Sequence, residues 1–120
     1  MINPLLLGGQ VHGGVAQGIG QALMEDVTYD ADGQILAGSF MDYCMPRADD
    51  LPMIETSDFV EACQTNPLGV KGGGESGTVG STAAVVNAIV DALSEYGVKD
   101  MEMPVTPMKV WQAMHGGKAA

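Results

Sequence analysis

Nine glycines in two short stretches constrain what this chain can fold into. Gly13, Gly14, Gly18 and Gly20 fall in a segment whose apolar residues recur with helical period, and Gly72, Gly73, Gly74, Gly77 and Gly80 crowd the stretch "VKGGGESGTVGS" from Val70 to Ser81. In the first segment Val11, Val15, Ile19, Leu23 and Val27 return every four residues, which is one stripe of a helix from about Gln10. A glycine in a helix interior costs roughly 0.5–1 kcal/mol relative to alanine, so four cost about 2–4 kcal/mol. That is a large share of a small domain's stability. Such a helix either packs very closely on a neighbour or leaves bare backbone for a ligand. Gln17 sharpens the choice, because it lies about 200° around the helix from Val15, away from the apolar stripe. Its neighbours at i−4, i−3 and i+3 are Gly13, Gly14 and Gly20. Gln17 therefore either bonds to an adjoining element at a close helix contact or stands on an open patch where a planar or polar ligand could lie.

Composition narrows the classes. A chain of 120 residues fits one domain, and 46% hydrophobic residues can build a core. The formal net charge of −10 argues against nucleic acid and against anionic lipid surfaces. Cys44 and Cys63 form no CxxC pair and read as free thiols of a reducing cytoplasm. No apolar run reaches the roughly 20 residues that span a bilayer, and the start of the chain lacks the basic region of a signal peptide.

The predicted fold class is α+β: a mixed sheet of short strands packed with about three helices, in a single domain over residues 1–120. "INP" and "GG" punctuate the start, and Glu25 and Asp26 close the first helix, a poor charge choice for a C-terminus that tertiary packing has to offset. "YDADGQI" reads as a turn, "ILAGSFMDYCM" and "MIETSDFVEAC" as strands, and "MEMP" as a possible third. A second, largely buried helix is expected from an N-cap at Ser81 through "TAAVVNAIVDALSEY" to Gly97. Thr106 and Pro107 open a last short helix, with Trp111 and Met114 as its apolar contacts.

The second glycine stretch has several readings. Gly72, Gly74 and Gly77 match G-x-G-x-x-G ahead of a helix, the pattern of a dinucleotide site. Its context is poor, because Pro67 interrupts the would-be strand and Glu75 would set a negative charge beside a pyrophosphate. No Gly-Lys-Ser/Thr follows, so a P-loop fails. Glu75 is alternatively a catalytic carboxylate that glycines leave accessible, or an ordinary solvated loop acid. His12 and His115 have neither metal-ligand spacing with any cysteine or carboxylate nor a triad arrangement.

Taken together, "INPLLLGGQVHGGVAQGIGQALMEDVTYD", "GSFMDYCMPRADDLP" and "TNPLGVKGGGESGTVGS", followed by "AAVVNAIVDAL", resemble the C-terminal part of the molybdenum-binding large subunit of the xanthine dehydrogenase, aldehyde oxidase and carbon monoxide dehydrogenase superfamily. The carbon monoxide dehydrogenase-like branch looks nearest. The resemblance implies a molybdopterin cofactor, in some members a dinucleotide, whose own sulfurs bind the molybdenum, so that no protein metal ligands are needed. It implies hydroxylation of a carbon, or oxidation of carbon monoxide, with oxygen taken from water. Glu75 matches the glutamate that acts as base beside the metal and helps place the substrate. Gly73 and Gly74 match the residues whose backbone approaches the metal centre, and Gln17 matches the glutamine that contacts the pterin. Two departures stand out: Gly73 occupies a position that is often Val or Cys, and Thr82 and Ala83 stand where many members start the helix with two prolines.

Family members are several times longer. The resemblance therefore implies a cofactor-binding segment that works only with the rest of the subunit, supplied by another chain. The alternatives are a non-catalytic, homo-oligomeric interaction module, with "INPLLL" and the glycine face of the first helix as contacts, and a small nucleotide-binding module using Gly72, Gly74 and Gly77.

Overall fold

The computed structural model describes residues 1–116 and is helical. Three α-helices follow in order: α1 (Pro4–Leu23), α2 (Thr78–Ala92) and α3 (Pro107–Met114). Short 3-10 turns lie at Ala48–Asp50 and Ser94–Tyr96.

The mixed sheet expected from the sequence is absent among the described residues, which overturns the α+β assignment. The one β-pairing recorded is an isolated antiparallel bridge, Tyr29 to Ile35, closing the turn read from "YDADGQI". There Asp30 Oδ1 accepts from the backbone N–H groups of Asp32 and Gln34, and Gly33 takes a positive φ of 82°. Past this bridge, residues 35–45 turn on Ser39, whose carbonyl accepts from Asp42 N and Tyr43 N. Residues 53–63 form no ladder, and 101–104 form none either. The β-prone composition of these stretches is real, but a strand exists only with a partner to take its backbone groups. Beyond the single bridge at Ile35, none of them finds one within the described residues.

α1 begins six residues before the expected start. Asn3 caps it, its Oδ1 accepting from Leu6 N at 3.1 Å, with Pro4 in the first turn. The signal read as punctuation is a cap, and Gly8 and Gly9 continue the helix. At the far end α1 stops at Leu23, and the carbonyl of Ala22, which the helix leaves unpaired, accepts from Val105 N at 2.7 Å. Glu25, just beyond, accepts from the hydroxyl of Tyr43 at 2.5 Å.

α2 also begins early, at Thr78 rather than after Ser81, so Thr82 and Ala83 lie inside the helix and not at its start. Gly77 precedes it in α-helical conformation (φ −77°, ψ −39°) with no side-chain cap. The backbone N–H groups of Thr78 and Val79 bond instead to the carbonyl of Glu75. The helix ends near Leu93, and the 3-10 turn beyond it runs to Gly97 at φ 77°. α2 is not the largely buried helix expected: it has no fully buried residue. Val86, Ile89 and Val90 lean on a small core of Leu93, Met101 and Val105, with Leu23 of α1 and Val110 and Ala113 of α3. α3 opens as read, Thr106 Oγ1 accepting from Lys109 N at 3.3 Å. Its apolar contacts are Val110 and Ala113, not Trp111 and Met114. Trp111 stays 57% exposed and stacks on His115 with ring centroids 4.4 Å apart.

α1 and α2 pack on each other through glycine. A β-carbon on Gly77 would collide with the Val11 carbonyl and lie 2.8 Å from Val15 N. One on Gly14 would lie 3.0 Å from Gly77 Cα and Thr78 N, and one on Gly18 would collide with the Ser81 hydroxyl. The backbones approach closely enough for Thr78 Oγ1 to donate to Gly14 O at 3.0 Å and Thr82 Oγ1 to Gly18 O at 3.4 Å. This contact offsets part of the cost of glycine in α1.

Candidate functional site

Because α2 starts inside the glycine stretch, three residues past Glu75, docking α2 on α1 delivers Glu75 to the side of α1. Both peptides flanking Glu75 are held. On the N-terminal side, the side-chain amide of Gln10 donates to the carbonyl of Gly74 at 2.6 Å. On the C-terminal side, the Glu75 carbonyl accepts from Thr78 N at 3.0 Å and Val79 N at 3.1 Å. Ser76 Oγ closes the turn on Gly73 O at 2.8 Å. The Glu75 side chain itself is exposed.

The glycines of this region divide into two kinds. Gly14, Gly18 and Gly77 are required by the helix contact. Gly13, Gly72 and Gly74 have open space where a β-carbon would stand. None of these three takes a positive φ, so backbone conformation does not require glycine there either. Gly73 differs again: a β-carbon would lie 3.1 Å from Leu7 Cδ1, so this residue faces α1. Around Glu75 the chain therefore presents bare peptide that its own fold does not fill.

Gln17 lies beside this region, three residues past Gly14 on α1, and is exposed. Its Oε1 is 3.4 Å from Thr78 Oγ1. That hydroxyl has one proton, and the 3.0 Å bond to Gly14 O is the better acceptor geometry. Among the described residues the Gln17 side-chain NH2 has no hydrogen-bond partner and remains free to donate. Sequence reasoning passed over Gln10. The signal was present, since seven residues are about 700° of helix, which puts Gln10 and Gln17 within about 20° of one face. His12, which lacks metal-ligand and triad spacing, bonds through Nε2 to Ile54 O at 2.7 Å and so ties the 53–63 segment to α1.

Gln17, Gly73, Gly74 and Glu75 are thus gathered on one side of the α1–α2 pair. An open groove of about 650 Å³ lies elsewhere, lined by Val79, Thr82, Ala83, Val86 and Asn87 of α2 and by residues 100–103. Among the described residues no group of three or more His, Cys, Asp or Glu could hold a metal ion. A metal at this site would need ligands from a cofactor, and the unfilled glycine backbone fits the approach of a large one.

Comparison with known proteins agrees with this chemistry. Residues 1–52 match the molybdopterin cofactor-binding domain family. The large subunit of nicotine 6-hydroxylase from Paenarthrobacter nicotinovorans is 44% identical over 116 residues, 97% of this chain and 14% of that protein. The carbon monoxide dehydrogenase large chain of Hydrogenophaga pseudoflava is 38% identical over 113 residues, 94% of this chain and 14% of that one. The crystal structure of quinoline 2-oxidoreductase from Pseudomonas putida 86 superposes with a TM-score of 0.88 at 40% identity, over 96% of this chain and 15% of that one. The chain thus matches a fragment of the molybdenum-binding large subunits of the xanthine dehydrogenase and carbon monoxide dehydrogenase type, a family of oxidoreductases whose full-length members use molybdopterin. It spans about a seventh of the length of these relatives. Glu75 lies beyond the 1–52 match but within the span shared with the relatives.

Proposed function

We propose that this chain forms one wall of a molybdenum hydroxylase active site, with Glu75 as the catalytic base. The observation that carries the reading is the unfilled space at Gly72 and Gly74 on both sides of an exposed carboxylate whose backbone is held. Gln17 offers its free amide N–H to the pterin, and Gly73 and Gly74 supply the backbone beside the metal centre. When bound, the cofactor supplies the two-electron oxidation that lets an oxygen from water enter the substrate. Glu75 accepts the proton released and orients the substrate by hydrogen bonding. Its fixed backbone anchors the side chain at one point, from which the carboxylate reaches its target.

The rest of the wall comes from the remainder of the large subunit, which is the first partner we assign. Large apolar side chains support this: Phe59 is 97% exposed, Met41 and Met53 are each 93% exposed, and Leu5 and Ile2 are bare at the start of α1. Such surface invites burial. Without the remainder, the same surface favours self-association of the chain as a homo-oligomer. Among the described residues no helix is long and apolar enough to cross a membrane. Both cysteines are free, which supports a reducing, cytoplasmic setting. The nucleotide reading has less support, because no strand precedes the glycine loop among the described residues.

The test is to co-express the chain with the remaining part of a large subunit and assay hydroxylation, with molybdenum and pterin measured on the purified complex. Glu75→Gln keeps the shape and removes the base. It is expected to lower turnover by about 10²–10⁴ while leaving bound molybdenum unchanged. Undiminished turnover in a molybdenum-loaded Glu75→Gln complex overturns the role given to Glu75.

A further inference from the structure

We infer that Gln10 is a positioning residue for Glu75, the donor that ties the glycine loop to α1. This rests on the reading of Glu75 as the base. The Gly74 carbonyl and the Glu75 N–H belong to one planar peptide unit. The 2.6 Å bond from Gln10 Nε2 to Gly74 O therefore fixes the direction in which the backbone enters Glu75. The exit is fixed by the bonds from Thr78 N and Val79 N to the Glu75 carbonyl. The two ties differ in kind. The exit tie belongs to the first turn of α2 and is made whenever that helix is made. The entry tie is made by a side chain 64 residues away in sequence, on a different helix.

Among the described residues no other side chain from outside the loop bonds to the Gly72–Gly74 backbone; the nearest other tie, Asn66 Nδ2 donating to Val70 O at 2.7 Å, lies two residues before the glycines. Gly72 and Gly74 carry no side chains and touch nothing on the side where a β-carbon would point. Gly73 meets only Leu7 Cδ1 there. The Ser76 hydroxyl bond to Gly73 O is internal to the loop and moves with it. Three successive glycines have the largest conformational freedom a chain can have. A loop built this way leaves room for a cofactor but does not hold a carboxylate in place unaided. Gln10 supplies the constraint from outside and occupies none of the bare surface at Gly72.

The role depends on a hydrogen-bond donor, not on bulk, and this makes it testable on the full chain without cofactor. Lys71 stands exposed just before the glycines, so trypsin cleavage after Lys71 reports how often the loop opens. Cleavage after the exposed Arg47 serves as the internal reference. Gln10→Glu keeps the size and removes the donor, and Gln10→Met does the same without charge. Both are expected to speed cleavage at Lys71 relative to Arg47 by about two- to tenfold, the effect of losing one net hydrogen bond. Gln10→Lys, which restores an N–H donor of similar reach, is expected to return the ratio towards the parent value. The thermal midpoint should fall by no more than a few degrees in Gln10→Glu and Gln10→Met, the same single hydrogen bond seen by global unfolding, and recover in Gln10→Lys. An unchanged cleavage ratio in Gln10→Glu and Gln10→Met overturns the inference. That includes equal acceleration of cleavage at both sites, which would make Gln10 a general stability residue. The outcome is separable from that of the base assignment: a freed loop together with full turnover in Glu75→Gln leaves the positioning role standing and removes the catalytic one.

Discussion

Gly77→Ala is the sharpest perturbation of this structure, and Gly80→Ala is its control. The two glycines are three residues apart, one just before α2 and one in its first turn. Neither has a positive φ, so alanine meets no backbone barrier at either. They differ in what a β-carbon would touch. At Gly77 it would overlap the Val11 carbonyl, lie 2.8 Å from Val15 N and lie 3.1 Å from Gly14 C. All three are backbone atoms of α1 and cannot rotate away, so α1 and α2 have to separate. At Gly80 a β-carbon meets nothing within 4 Å. Overpacking of this sort costs about 1–3 kcal/mol, whereas glycine to alanine in an open helical position gains roughly 0.5–1 kcal/mol. For a domain of this size that is a thermal midpoint lowered by roughly 4–12 °C in Gly77→Ala and raised by a few degrees in Gly80→Ala. Circular dichroism melts on both variants, with urea titration for the free energies, measure it. The opposite signs are the point. Shifts of the same sign, or a Gly77→Ala change under about 0.5 kcal/mol, which is the scale of an ordinary surface substitution, would refute the close α1–α2 approach described here.

Two further outcomes follow from titratable groups. Acceptance of the Tyr43 hydroxyl proton by Glu25, with smaller contributions from desolvation and the Glu25 charge, raises the Tyr43 pKa above its ordinary 10.0. A raised folded-state value means that this stabilisation is complete below pH 10 and is lost as pH climbs through the folded value. Absorbance titration should show Tyr43 ionising late, and Glu25→Ala, which removes both the acceptor and the charge, should abolish the delay. Cys63 is lowered from its ordinary 9.0, first by the Thr65 side-chain hydrogen bond and then by backbone contacts with Thr65 and Asn66. Alkylation by iodoacetamide should therefore begin at lower pH at Cys63 in the parent than in Thr65→Val.

How much of this was legible in the sequence depended on whether the signal was local. The cap at Thr106–Pro107, the turn at Asp30–Gly33 and the helical period of Val11, Val15 and Ile19 each act within one turn of chain, and each was readable. Asn3–Pro4 carries the same cap signal, but Gly8 and Gly9 behind it looked like a break. The strands failed for a physical reason. Residues 53–63 have β-branched and aromatic side chains, but pairing is a property of two segments and one sequence window holds only one. For Trp111 and Met114, hydrophobicity was mistaken for direction: in an eight-residue helix only the face carrying Val110 and Ala113 meets the core. Within the site, a lone glutamate among glycines was conspicuous. The Gln10 tie spans 64 residues and needed the α1–α2 docking before it could be seen.

The two kinds of glycine also answer to different judges. Heat, urea or a protease will report a methyl group added at Gly14, Gly18 or Gly77, because the fold itself objects. The same methyl at Gly13, Gly72 or Gly74 meets only solvent, and the fold has no means of rejecting it. In a lineage freed from its cofactor those three positions would be at liberty to wander, while the other three would stay pinned. This chain still has glycine at all six, so half of that pattern is a demand that its own folding never makes.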